Sequence, residues 1–199
     1  DLYFTLVNMK KSQVNGSIIS SEYVDKILDT LDESSSMVTR SGMCDIVFRE
    51  GEKLRGDIFS IRVLTEHLKD IMASKIAIIG VNHYAKAFSF LACGFNVSYF
   101  NENLEELMQF TEDVELADAD INRIANEMEV DFSSYDAVLD FSDMDNLSMV
   151  TALAAFNFDM KNTKQTSALK ARASQLDAQY TSYDDIIDKL CLKAYNLIK

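Results

Sequence analysis

Apolar positions along the chain follow two rhythms, one near two residues and one near three and a half. "LYFTLV" (Leu2–Val7) is a short continuous apolar run suited to a buried strand, and "SIIS" (Ser17–Ser20), after Gly16, suits another. "SEYVDKILDTLDE" places Tyr23, Val24, Ile27, Leu28 and Leu31 on one helical face, with Ser21 as its N-cap. "CDIVFRE" and "KLRGD" flank Glu50-Gly51-Glu52 and predict a β-hairpin. "FSIRVLTEHLKDIM" predicts an amphipathic helix through Val63, Leu64, Leu68, Ile71 and Met72. "SKIAIIGVNHYAKAFSFLACGFNVSYFNEN" (Ser74–Asn103) then reads as strand, one-glycine turn, helix and second strand. Beyond it the pattern predicts a helix over Leu104–Phe110, a short strand near Val114–Leu116 and a helix over Ala119–Met128. A strand at "DAVLDFS" and a helix from about Asp145 to Met160 follow. Two helices fill Gln165–Lys199, the second capped by Ser182 with Asp185 three residues on, and burying Ile186, Ile187, Leu190, Cys191, Ala194 and Leu197. Strands alternating with helices predict an α/β fold with parallel strands and crossovers.

Composition changes this picture in three ways. The chain has 199 residues, nearly half of them apolar, enough for a core in one or two small domains. It has no proline, and its six glycines all lie at or before Gly94, which predicts a mostly helical second half. The net charge is −13, and fifteen acids face one base, Arg123, between Asn101 and Asp145. That field argues against nucleic acid or an anionic membrane as partner. Cys44, Cys93 and Cys191 are scattered and odd in number. They predict neither a disulfide framework nor a metal site, and they suit the reducing cytoplasm. The two histidines, His67 and His83, cannot build a histidine-rich metal site. No apolar run approaches the length of a membrane span, and no signal peptide is visible.

The turn Gly80-Val81-Asn82-His83-Tyr84-Ala85 carries the candidate chemistry. A dinucleotide site uses a first glycine for the tight turn, a second for close approach of pyrophosphate and a third for helix packing. Gly80 supplies the first, Ala85 is small enough for the third, and Asn82 replaces the second. Asn tolerates positive φ better than most residues, but its side chain occupies space near the phosphates. The helix N-terminus still offers amides, and His83 adds a cation if protonated. The second strand ends at Asn101-Glu102, an acid with no base beside it, which favours NAD over NADP. A plain strand-turn-helix packing unit accounts for the same residues, with Glu102 in a helix first turn.

From about Ser17 to Asp143 the order of motifs resembles the shikimate dehydrogenase family. "REGEKLRGDIFSIRVLTEHL" and the strand-turn-helix stretch look like that family's "DGKLxGxNTDGxGFxxxL", "GAGGAAKA" loop and "VTIxNRT" strand end. Upstream, "LDE" at Leu31–Glu33 and "SGMCDIVF" at Ser41–Phe48 look like its "LDE" and "GAVNTIV". Downstream, "YDAVLDFSDM" takes the place of its "YDLIINATPxG". The resemblance implies a truncated α/β substrate-type domain (1–60), a Rossmann-like domain (61–160) and helices returning to the first domain (161–199). The family reduces 3-dehydroshikimate to shikimate with NADPH. Its catalytic lysine falls on Val24, with Lys26 the nearest lysine, and its catalytic aspartate on Ser60. Its substrate positions fall on Ser20 and Asp45, where Asp45 replaces an asparagine and repels a carboxylate substrate. The arginine that grips the NADP phosphate becomes Glu102. Its serine-rich N-terminal motif has no counterpart, as though the chain started late.

Hydride transfer to a ketone leaves an alkoxide that needs a proton, and losing a positioned acid typically costs about 10²–10⁴ in rate. The expectation is therefore a diverged member without the standard activity, binding a small molecule or a protein partner, with homodimerisation open. The alternative is an active NAD-dependent oxidoreductase with a changed substrate and Lys26 or His83 as proton source. A third reading is an acidic α/β scaffold whose exposed helices dock a partner.

Overall fold

The computed structural model describes residues 2–116, 118–161 and 164–198, with side chains to residue 196. Its first layer is a four-stranded sheet. α1 (Leu2–Met9) leads to β1 (Gly16–Ile18), two 3-10 turns (Ser21–Tyr23 and Leu28–Thr30), β2 (Glu33–Ser34) and α2 (Ser36–Ser41). The hairpin β3 (Ile46–Glu50) and β4 (Lys53–Asp57) completes it, in the order β1-β3-β4-β2. The hairpin forms as its sequence predicts, with Glu50 opposite Lys53 and Gly51 at φ +65°.

The second layer is a parallel five-stranded sheet. α3 (Ser60–Asp70) precedes β5 (Lys75–Ile79), α4 (His83–Leu91), β6 (Asn96–Asn101), α5 (Leu104–Asp113) and β7 (Asp120–Arg123). β8 (Val130–Asp131), β9 (Ala137–Asp140), β10 (Val150–Ala152) and β11 (Phe156–Asp159) follow, then α6 (Ala168–Gln175) and α7 (Tyr183–Ile198). The order β11-β9-β5-β6-β7 reverses direction between β5 and β9, and β8 pairs separately with β10. β5 is buried on both faces, as a central parallel strand must be. Ile76 and Ile78 join the larger core, while Ala77 and Ile79 join a second core with Val138, Phe132 and Leu169. α7 packs against α3 and reaches β1, so the end of the chain covers its beginning.

Six expectations are corrected. Leu2–Val7 is helical, because only Leu6 and Met9, three apart, are buried while Tyr3 and Phe4 are exposed. Residues 21–31 form two 3-10 turns around buried Val24 and Ile27 instead of one helix. The chain is held back by Asp32, whose amide donates to the Leu54 carbonyl and whose carboxylate accepts the Leu54 amide at 2.8 Å. Val114–Leu116 is the turn after α5, and the strand falls on Asp120–Arg123, inside the expected helix. It pairs with Ser98–Asn101, and the Ser98 hydroxyl donates to Asp120. Asp145–Met160 contains β10 and β11, where Phe156–Asp159 are buried throughout against β9. Cys191 is exposed, while Leu197 lies outside the described side chains.

The glycine-free second half is thus not mostly helical. Its turns are made by side chains that accept backbone amides two residues on: Asp131 from Ser133, Asp140 from Ser142, and Asn146 from Ser148. Such turns need neither glycine nor proline.

Candidate functional site

The reversal of strand order between β5 and β9 opens a crevice at their carboxyl ends, where open α/β sheets take ligands. Gly80 follows β5 at φ +90°. A Cβ there would meet the Ser142 nitrogen at 2.7 Å and Cα at 2.8 Å, so the loop after β9 lies directly on this glycine. The positive φ of the turn falls on Gly80 and not on Asn82, which is extended at φ −82°.

Asn82 caps α4. Its side-chain oxygen accepts the amides of Tyr84 (2.9 Å) and Ala85 (3.3 Å), and its side-chain nitrogen donates to the Phe141 carbonyl at 2.6 Å. One residue thus ties the turn to β9 and takes up amides that a phosphate would need. Ala85 is fully buried, and His83 lies edge-on to Tyr84 with ring centroids 6.0 Å apart.

Beside the turn lies a groove of about 340 Å³, walled by Glu102, Glu106 and Asp143 with no cation among the described residues. Asn101 lines it too, but its side-chain nitrogen is committed to the Asn103 carbonyl and to Glu106. With the Tyr84 and Ala85 amides capped and the walls acidic, the turn offers a pyrophosphate less than a glycine-rich loop does.

A second cavity, about 430 Å³, lies between the Ser21–Lys26 segment and the ends of β5, β9 and β11. Lys26 lines it, but its ammonium donates back to the Glu22 carbonyl at 2.8 Å and sits 5.5 Å from the Tyr23 ring centre. Val24, at the family's lysine position, is core at 1% exposure. Ser20 is exposed, makes no side-chain cap for the following turn, and is not among the residues lining this cavity.

Asp45 and Ser60 are brought together, but inside the protein. The Asp45 carboxylate accepts the Phe59 amide (2.7 Å), the Ser60 amide (2.9 Å) and a short bond from the Ser60 hydroxyl. It therefore caps the start of α3 from the residue that precedes β3. Burial raises the Asp45 pKa above the usual carboxylate range against these donors. Its charge also helps burial to raise the Tyr84 and Tyr183 phenols.

Sequence reasoning missed Asp140, the last residue of β9. Its Oδ1 accepts from the Ser142 amide and hydroxyl, while Oδ2 is buried without a partner. Burial lifts its pKa to about 6, with Lys161 pulling down and Asp159 pushing up. The signal available was an acid closing an otherwise apolar strand. Among the described residues no group of three or more His, Cys, Asp or Glu side chains could hold a metal, and no helix is long and apolar enough to cross a membrane.

No family model matches the sequence, and no curated protein matches it. Solved structures do. The chain aligns over its full length with 76% of the shikimate 5-dehydrogenase of Thermus thermophilus, solved with shikimate, at TM-score 0.73 and 14% identity. It aligns likewise with 78% of an Ael1 enzyme of Pseudomonas putida (TM-score 0.76, 12% identity). The quinate dehydrogenase of Corynebacterium glutamicum, solved with NAD, gives TM-score 0.65 and 16% identity over 77% of its length. The fold is that of the shikimate dehydrogenases.

Proposed function

We propose that this protein is a binding module on the shikimate dehydrogenase fold that has given up the hydride transfer of its structural neighbours. Its ligand is a small molecule held in the cavity between the Ser21–Lys26 segment and the ends of β5, β9 and β11. The observation that carries the reading is the closed Asp45–Ser60 pair. These residues stand where the resemblance puts a substrate asparagine and a catalytic aspartate, yet both are buried and their bonding is directed at the start of α3. Asn82 supports the same conclusion at the cofactor turn. A division of the chain near residues 60 and 160 accompanies this proposal.

The test is calorimetric titration with NAD(H) and NADP(H) at millimolar ligand, together with turnover assays on shikimate and quinate. The proposal expects neither binding nor turnover. Measured turnover with either cofactor overturns it.

One observation favours a second reading, an active NAD-dependent oxidoreductase with a changed substrate. Asp140, with a pKa of about 6, lines the cavity and is placed to exchange a proton there. Under this reading NADH binds, and Asp140→Asn abolishes turnover without weakening that binding.

A further inference from the structure

An unused pocket lies on the four-stranded sheet. About 480 Å³ in volume, it is bounded by β3, β4 and the first turn of α3, and three of its residues are arginines: Arg49, Arg55 and Arg62. The chain carries a net charge of −13, so its overall field repels anions, and a site for one has to be built locally.

The three guanidiniums are unequally committed. Arg49 is fixed by neutral acceptors only: the Val14 carbonyl (3.2 Å), the Gly51 carbonyl (3.2 Å) and the Asn15 side chain (2.9 Å). Among the described residues it pairs with no carboxylate. Arg62 gives one nitrogen to Asp57 at 3.1 Å, and that same oxygen already accepts from the Ser35 hydroxyl and the Ile58 amide. Arg55 makes one long contact with Glu50 at 3.5 Å, an exposed pair worth little. Each guanidinium offers five donors in a planar fork. Most of those on Arg55 and Arg62 are therefore uncommitted, and three positive groups face two carboxylates. Phe48 and Phe59, with ring centroids 5.7 Å apart, also line the pocket, and the Arg62 guanidinium lies 5.8 Å from the Phe59 ring centre.

We propose that this pocket binds a small organic anion, a phosphate or carboxylate carried on a planar group. The guanidiniums of Arg55 and Arg62 grip the anion while the ring packs against half-buried Phe48, with the core side chain Phe59 forming the floor beneath. Arginine is suited to both contacts, by bidentate hydrogen bonding and by stacking. The site is separate from the cavity at the strand ends, with which it shares no lining residue.

The experiment is isothermal titration calorimetry on the intact chain with phenyl phosphate, benzoate and inorganic phosphate. Phenyl phosphate is expected to bind more tightly than inorganic phosphate, and more weakly as salt rises. Arg55→Ala, which removes only an exposed pair, is expected to keep the fold and weaken binding by about tenfold or more. Arg62→Ala is expected to do the same, with circular dichroism checking its fold. Arg123→Ala, on the other sheet, is expected to change nothing. Absence of binding by both aromatic anions at millimolar concentration overturns the proposal. So does equal affinity in Arg55→Ala, or an equal loss in Arg123→Ala.

Discussion

Asp140→Asn should stabilise the protein, and only above a definable pH. In the native state burial lifts the Asp140 carboxyl from an ordinary 3.8 to about 6. The folded-state value lies above the unfolded one. Its contribution to stability is therefore intact below about pH 4 and is lost as pH rises through about 6. At about 1.4 kcal/mol for each pH unit between the two values, the loss amounts to about 3 kcal/mol. Asparagine keeps an oxygen for the Ser142 amide and hydroxyl and puts an uncharged amide where Oδ2 lies buried without a partner. The motif "YDLIINATPxG" that this strand resembles carries asparagine in the same register. Urea unfolding of both proteins between about pH 4 and pH 8 measures the difference. Asp159 and Lys161, the charged neighbours of the site, are present in both proteins, so their contributions largely cancel. The two curves should coincide near pH 4 and separate towards about 3 kcal/mol at pH 7, equivalent to a rise in Tm of about 6–12 °C. A constant offset across this range, or a variant less stable at pH 7, refutes the reasoning.

Asn82→Ala removes a helix cap and the tether to Phe141 and should cost about 2 kcal/mol in urea unfolding. Asn82→Asp keeps the cap but sets an oxygen against the Phe141 carbonyl, so it should also destabilise, which a cap-only role would not predict. Gly80→Ala places a Cβ against Ser142 at positive φ and should cost about 2 kcal/mol or more, read as a lowered Tm. Ser60→Ala removes the hydroxyl donor to buried Asp45 and should cost about 1–3 kcal/mol, with a normal far-UV spectrum. Thiol titration of the native protein should modify exposed Cys93 and Cys191. It should modify Cys44 only after unfolding, because burial holds that thiol back and lifts its pKa to about 12.

The parts of the fold legible in the sequence are those specified by local chemistry. The hairpin announces itself by a glycine between alternating strands, and β5-α4-β6 by an apolar run, Gly80 and a helical stripe. β7 and β11 were hidden because their strand character comes from pairing with β6 and β9, and no nearby Gly or Pro marks their ends. In the site, Gly80, Asn82 and Glu102 were visible because the turn chemistry is contiguous. The Asp45–Ser60 bond spans fifteen residues and joins the residue before a strand to a helix start, so no periodicity reveals that each satisfies the other. The unpartnered oxygen of Asp140 depends on what the folded strands leave out of reach, which sequence order does not encode.

The return of α7 onto α3 and β1 has a consequence for how the chain is made. α3 ends at Asp70 and α7 begins at Tyr183, so the apolar faces they share must wait while everything between them is synthesised. At about 5–20 residues per second that wait is on the order of ten seconds. During it, the side of α3 that meets α7, where Glu66 and His67 contact Lys193 and Lys189 in the finished molecule, lacks its cover. A ribosome-bound chain stalled before Tyr183 should therefore engage chaperones that release once α7 emerges, so that α7 acts as a completion signal for the layer it covers.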